Sequence, residues 1–218
     1  MAGGEGARLK PFTYILPKPL IPLNDKTVIE KILDSFTDSG FCNFFLTVNY
    51  KGKILIAFFE ELEPDYSISF VEEKTPLGTV GSLHMLKKEL KSTFLLTNCD
   101  VILDLDHEDL IDFHNKNNCE ITLVASAKKL TLPYGACEID QEGFLHKIIE
   151  KPSLDYLINA GLYVLEPSAL KQIPDGEFFH MTDLIEALIN KKFPVHCYFI
   201  NEKEFIDFGQ WKQYKESL

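Results

Sequence analysis

The chain has 218 residues, 45% of them hydrophobic, enough to bury a full core in one large or two small domains. Its net charge of −11 excludes a general nucleic-acid or anionic-membrane binder, since both need an extended basic face. Five scattered cysteines (Cys42, Cys99, Cys119, Cys137 and Cys197) contain no CxxC pair, which argues against a disulfide frame or a zinc site and fits a reducing cytosol.

The chain opens on Gly3-Gly4-Glu5-Gly6-Ala7-Arg8-Leu9-Lys10-Pro11-Phe12-Thr13, a glycine-rich loop carrying two cations. Glycines let backbone N–H groups close on an anion, and Arg8 adds a forked donor, so the loop reads as a phosphate cradle. The first twenty residues hold Arg8, Lys10 and Lys18 against Glu5 alone, which points to a small anionic ligand. The glycine spacing matches neither a Walker loop nor a dinucleotide-binding fingerprint. Met1 leads straight into the loop without a signal peptide, and no apolar run reaches the roughly 18 residues of a membrane span, so a cytoplasmic protein is expected.

Thr27 and Glu30 make a capping box ahead of Ile29, Ile32, Leu33 and Phe36 at helical spacing, closed by Gly40. Phe44 to Val48 reads as a strand, Leu55, Phe58, Phe59 and Leu62 as one face of a helix, and Tyr66 to Val71 as a strand. Val80 to Leu90 is expected as a helix, Phe94 to Thr97 as a buried strand, Leu110 to His114 as part of a helix and Ile121 to Ala125 as a strand. Repeated βα units imply a largely parallel sheet with helices on both faces. After about residue 130 the pattern changes to a hairpin, Tyr134 to Ile139 and Phe144 to Glu150, then a strand from Ile158 to Leu165 and a helix from Thr182 to Lys192. No linker divides residues 1–218, so a single domain is expected.

In an open α/β sheet, ligands sit beyond the carboxyl ends of the strands. Asp100 follows the apolar strand Phe94 to Thr97 and stands there as a candidate ligand for a hard cation; Asp104 and Asp106 read as turn or cap residues. Asp207 lies in Phe205-Ile206-Asp207-Phe208-Gly209-Gln210-Trp211, a carboxylate among aromatics, which is costly unless paired or metal-bound; capping a final helix is the alternative. Pro76-Leu77-Gly78-Thr79-Val80-Gly81 is a second loop whose backbone could meet a base or ribose. Glu150-Lys151-Pro152 pairs an acceptor with a cation, and Asn159-Ala160-Gly161 inside a strand suggests that something other than a side chain approaches there. The histidines show no metal-ligand spacing, and no Gly-x-Ser-x-Gly elbow occurs.

Taken in order, these motifs resemble the sugar nucleotidyltransferase family over nearly the whole chain. Gly3 to Thr13 is similar to the signature G-G-x-G-T-R-L-x-P-x-T, with Ala7 at the threonine, and Lys18-Pro19-Leu20-Ile21-Pro22-Leu23 resembles the lysine-proline motif that follows. Pro76 to Gly81 resembles the base-contacting loop, and Leu96 to Val101 and Ile206 to Gly209 resemble the two metal-aspartate motifs. Glu150-Lys151-Pro152 and Asn159-Ala160-Gly161 resemble the sugar-site motifs.

The resemblance implies a Rossmann-like α/β fold of the nucleotide-diphospho-sugar transferase kind: a mixed, mostly parallel sheet flanked by helices. Only Met1 and Ala2 precede the glycine loop, where the family places a central strand. The expectation is therefore a domain lacking its usual first strand, a fragment or an internal start downstream of a segment such as a CBS module. Implied partners are a nucleoside triphosphate and a sugar 1-phosphate, with Mg²⁺ as cofactor, and no nucleic acid or membrane; a homo-oligomer is left open. By the same resemblance Arg8, Lys18, Asp100 and Asp207 are catalytic, and Asp100 and Asp207 hold the metal. Ala2, Gly3, Gly4, Gly6, Pro76, Gly78, Thr79 and Asn98 line the nucleotide, and Gly135, Glu150, Lys151, Asn159 and Gly161 the sugar phosphate. Asn98-Cys99-Asp100-Val101 looks closest to guanylyltransferase-like members of the mannose 1-phosphate and glucosamine 1-phosphate type, favouring GTP. The alternatives are a thymidylyl- or uridylyltransferase, a non-catalytic homologue that binds nucleotide sugars, and a metal-dependent glycosyltransferase of related fold.

Overall fold

The computed structural model describes residues 1–209. Short 3-10 turns at Ala7–Leu9, Phe12–Tyr14 and Lys18–Leu20 lead into a two-stranded ribbon, β1 (Pro22–Leu23) and β2 (Lys26–Thr27). Helix α1 (Val28–Thr37) starts at the expected capping box: the Thr27 hydroxyl accepts from Glu30 N–H, and the Glu30 carboxylate accepts from Thr27 N–H at 2.7 Å. Strand β3 (Asn43–Val48), helix α2 (Gly52–Leu62) and strand β4 (Ser67–Glu72) form a βαβ unit with β3 and β4 parallel.

Beyond β5 (Phe94–Thr97), β6 (Val101–Leu103) and α3 (His107–Lys116), the chain builds two long strands, β7 (Ile121–Thr131) and β10 (Ser153–Leu165), joined through the hairpin β8 (Ala136–Ile139) and β9 (Leu145–Ile149). Helix α4 (Met181–Asn190), β11 (Val195–Ile200) and β12 (Phe205–Asp207) complete the described chain. The main sheet has the order β11-β7-β10-β5; β11 is parallel to β7, and β10 is antiparallel to both neighbours. It is a mixed sheet, covered on both faces.

Alternation along β10 divides the core. Leu162 and Val164 pack with Val28, Ile32 and Leu110 on the α1 and α3 side, whereas Tyr163 and Leu165 pack with Leu83, Leu184 and Leu188 on the α4 side. A third cluster sets Leu33, Leu55 and Phe59 against Leu46 and Val48 of β3. Among the described residues no helix is long and apolar enough to cross a membrane.

Two elements differ from the sequence reading. Val80 to Leu90 is not an α-helix but a 3-10 segment, Gly81–Leu86, followed by turns. Val80, Leu83 and Leu86 recur every third residue, which suits three residues per turn, and the N–H groups of Val80 and Gly81, which a helix start leaves without an internal acceptor, both donate to Phe179 O. Strands β7 and β10 also run past their apolar stretches, because Ala127 to Thr131 pairs with Ser153 to Leu157 through the backbone.

Residues 1–3 lie between β3 and β5. Met1 N donates to Thr97 O at 2.8 Å and Ala2 N to Thr47 O at 2.9 Å, so this short stretch takes a central-strand position at the carboxyl ends of its neighbours.

Candidate functional site

The glycine loop, the end of β5 and the end of β12 meet. Strand β12 is antiparallel to β6 with Asp207 opposite Val101, and Phe208 N donates to Asp100 O at 2.8 Å, so the pairing sets Asp207 beside Asp100. The Lys18 ammonium is ion-paired with the Asp100 carboxylate, their side chains 13% and 12% exposed. A carboxylate this buried needs a cation, and the 3-10 turn Lys18–Leu20 supplies one. Gly209 is the point of convergence: a Cβ built there would lie 2.5 Å from Asp100 Oδ2, 2.7 Å from Asp207 Oδ1 and 3.3 Å from Lys18 Nζ. Gly209 N also donates to Asp207 Oδ1 at 2.7 Å. The helix expected after Asp207, which that residue could cap, falls on positions outside the described residues.

Gly6 shapes the loop above this pair. Its φ of 62° is left-handed, and a Cβ there would meet Thr13 Cγ2 at 2.9 Å and Lys18 Cβ at 3.0 Å, so only glycine lets the loop fold onto Lys18. The Thr13 hydroxyl, buried, donates back to Gly6 O at 3.1 Å. Arg8 is exposed, and Gly4 has open space where a side chain would stand. Ala2 is buried at the loop's root; Gly3 sits 3.3 Å, by its built Cβ, from Asn49 Cβ. Burial pushes the neighbouring Cys99 thiol pKa up, reinforced by the Asp100 charge.

Asn49 is a site-lining residue that sequence reasoning missed. Its amide donates to Glu73 O at 2.7 Å, and Glu73 in turn accepts from Leu77 N at 3.2 Å, so Asn49 ties the glycine loop to the Pro76 loop. The signal was available: Asn49 directly follows β3, at a strand's carboxyl end.

In the second loop Pro76 and Thr79 are exposed, while Gly78 packs on backbone, its built Cβ 2.5 Å from Phe179 O. The Thr79 hydroxyl accepts from Met181 N at 2.7 Å, so Thr79 helps start α4. These contacts fix the loop's shape and leave Pro76 on the surface.

Asn98, Asn159 and Gly161 form one cluster. Asn159 accepts from Gly161 N at 3.0 Å and donates to Tyr163 OH at 2.7 Å within a bulge of β10 against β7. Gly161 has φ 81°, and its built Cβ would lie 2.6 Å from Asn98 Nδ2. This corrects the sequence reading of Gly161: a side chain does approach, and it is Asn98. Gly135, Glu150 and Lys151 lie on the β8–β9 arm. A Cβ on Gly135 would stand 3.2 Å from Glu150 Oε2, and Glu150 and Lys151 are exposed. No hydrogen bond or ion pair joins these arm residues to Lys18, Asp100 or Asp207 among the described residues.

The histidines have structural partners. His84 bonds Gly81 O, His107 bonds Ser39, His114 bonds Thr122 and Glu166, and His196 contacts the Cys119 thiol.

A family model described as "Nucleotidyl transferase" matches residues 1–217. The chain is 31% identical over 228 residues to a mannose-1-phosphate guanyltransferase of Candida albicans, covering 97% of this chain and 59% of the relative. It is 31% identical over 223 residues to one of Schizosaccharomyces pombe, covering 98% and 61%. The chain thus spans about three fifths of the length of the curated relatives it matches. Among solved structures, HddC from Yersinia pseudotuberculosis superposes with a TM-score of 0.77 at 24% identity, over 99% of this chain and 95% of that one. A UDP-glucose pyrophosphorylase from Acinetobacter baumanii gives 0.73 at 18%, over 99% and 89%. These two likenesses bear on the fold.

Proposed function

The chain belongs to the nucleotidyl transferase family, and from that premise we propose that residues 1–218 act as one catalytic domain that transfers a nucleoside monophosphate from a triphosphate to a sugar 1-phosphate. The products are a nucleoside diphosphate sugar and pyrophosphate. The observation that carries this reading is the convergence of Lys18, Asp100 and Asp207 on Gly209 beneath the glycine loop.

The chemistry asks for positioning and charge neutralisation. A sugar phosphate has a second pKa near 6, so at neutral pH its dianion attacks the α-phosphorus in line without a general base. Two repelling anions must be held together. Arg8, exposed on the loop, and Lys18 neutralise the triphosphate; Lys18 then exchanges its Asp100 contact for phosphate oxygens. Loop N–H groups at Gly3, Gly4 and Gly6 take the phosphates, and Pro76, Gly78, Thr79 and Asn98 the nucleoside. On the arm side Lys151 meets the sugar phosphate while Glu150, Asn159 and the Gly135 and Gly161 backbone address sugar hydroxyls.

Asp100 and Asp207 are the groups that would hold Mg²⁺. Mg²⁺ takes one or two carboxylates together with substrate phosphates and waters, and the space kept open by Gly209 brings two hard donors together. The ion would supply charge neutralisation at the reacting phosphoryl group.

GTP and mannose 1-phosphate are the favoured pair. Relatives 31% identical bear the name mannose-1-phosphate guanyltransferase, and Asn98-Cys99-Asp100-Val101 matches the guanylyltransferase-like form of the motif. The test is a panel of four nucleoside triphosphates against hexose 1-phosphates with Mg²⁺, read as pyrophosphate release. Turnover confined to GTP is expected. Turnover with dTTP or UTP moves the assignment within the family, and nucleotide-sugar binding without turnover by any pair replaces it with a regulatory role.

A further inference from the structure

The two feet of the glycine loop stand on one turn. Tyr50 N donates to Gly3 O at 3.4 Å, the Tyr50 hydroxyl to Thr13 O at 3.3 Å and the Lys51 ammonium to Tyr14 O at 2.5 Å. The start and the close of the loop are thus held by two consecutive residues between β3 and α2. Of the arc between its feet, Gly4, Glu5, Ala7, Arg8 and Lys10 are exposed. The hold reaches into that arc, because the Thr13 hydroxyl donates to Gly6 O at 3.1 Å and Leu9 N donates to the same oxygen at 2.9 Å.

The turn is anchored on both sides. Leu46, Thr47 and Val48 of β3 are buried, and Val48 O accepts from Glu73 N at 2.9 Å. Helix α2 begins at Gly52, whose built Cβ would lie 3.2 Å from the Val48 side chain. Lys51, the N-cap of α2, has a left-handed backbone, φ 54° and ψ 26°, and its side chain makes no capping hydrogen bond. A residue with a Cβ is strained there, and glycine or asparagine would be the easier choice. What the lysine adds is its ammonium, which lies 5.4 Å from the Tyr50 ring centre and reaches Tyr14 O. Asn49, one residue before this pair, donates to Glu73 O ahead of the Pro76 loop, so three consecutive residues set the spacing of the two loops.

We propose that Tyr50 and Lys51 are positioning residues of the transfer reaction, which preset the arc from Gly4 to Lys10 for a triphosphate chain. This rests on the reading of the glycine loop as the triphosphate site. A preset arc spares the ordering entropy of the loop when the anion binds, so loss of either contact appears as a looser arc and weaker triphosphate binding. The fold itself does not depend on the contacts, because β3 and α2 are held from their other sides.

The experiment compares the full chain with Lys51→Gly, Tyr50→Phe and Lys51→Arg by Tm, by amide exchange at Leu9 in the free protein, and by binding of inorganic tripolyphosphate with Mg²⁺. Lys51→Gly removes the ammonium and relieves the left-handed strain together, so Tm should hold or rise. In the same variant Leu9 should exchange about threefold faster or more, and tripolyphosphate should bind about tenfold more weakly. Tyr50→Phe, which alters no charge, should speed the same exchange, whereas Lys51→Arg keeps a donor for Tyr14 O and should restore the parental rate. A Tm that falls in step with binding, or equal Leu9 exchange in all four proteins, would overturn the proposal. Tripolyphosphate failing to bind the parent would overturn the triphosphate reading and this proposal with it, while parental binding with unchanged exchange overturns the proposal alone.

Discussion

Lys18 and Asp100, 82 residues apart in sequence, form an ion pair in which each side chain is about one-eighth exposed. The proposed function gives the pair a chemical role beside its structural one, and substitutions separate the two. Lys18→Met leaves Asp100 buried without its cation, which should cost about 3 kcal/mol and lower Tm by several degrees. Asp100→Asn should cut pyrophosphate release about 10²- to 10³-fold, the usual scale for one electrostatic contact to a reacting group. The double variant should regain most of the lost Tm while staying inactive. Recovery of turnover in the double variant would show that the pair only holds the loop.

Gly209→Ala tests the convergence of the two carboxylates. The new methyl would sit 2.5 Å from Asp100 Oδ2 and 2.7 Å from Asp207 Oδ1, so the carboxylates must part. Because only the ends of two side chains move, Tm should change little. Displacing a positioned group by about 1 Å can cost on the order of 10²-fold in rate, and the Mg²⁺ concentration giving half-maximal rate should rise. Unchanged Mg²⁺ dependence would remove Asp207 from the proposed metal site.

Gly161→Ala combines two penalties. A left-handed φ of 81° costs a residue with a Cβ about 1–3 kcal/mol, and that Cβ meets Asn98 Nδ2 at 2.6 Å. Urea unfolding should show the loss, and Asn98→Ala in the same chain should return part of it. Strict additivity of the two changes would mean that Asn98 can swing away freely.

The legible parts of the sequence were those governed by local chemistry. Thr27 and Glu30 announced α1, and the apolar run ending at Thr97 put Asp100 just past a strand's carboxyl end, because each signal lies within a few residues. What escaped depended on partners far along the chain. Val80 to Leu90 has an apolar pattern compatible with a helix, while its start is fastened to the backbone of Phe179, about a hundred residues on, which takes the N–H groups of Val80 and Gly81. Asn49 carries no motif of its own, and its place in the site comes from Glu73. Gly161 was singled out as unusual, yet its neighbour Asn98 follows β5, more than sixty residues earlier, which one-dimensional pattern cannot supply.

The acid sensitivity of the fold should trace to a histidine outside the site. His107 is 3% exposed, its ring 4.6 Å from that of Phe36 and 6.0 Å from that of Phe41, with Nδ1 2.9 Å from Ser39 Oγ. Burial lowers its pKa from the model-compound 6.5, opposed by the nearby Asp106 charge. Since the folded-state pKa is the lower one, the unfolded chain binds more protons below about pH 6.5, so stability is complete above that pH and is lost as pH falls through the folded value. His114, buried against Thr122 and Glu166, shifts in the same direction, again chiefly by burial. Each histidine can contribute a slope of up to about 1.4 kcal/mol per pH unit. His107→Gln should therefore be less stable than the parent at pH 7.5 but lose less Tm between pH 7 and 5. Parallel Tm profiles for the two proteins would place the acid sensitivity in other groups, and His114→Gln is then the variant whose profile should flatten.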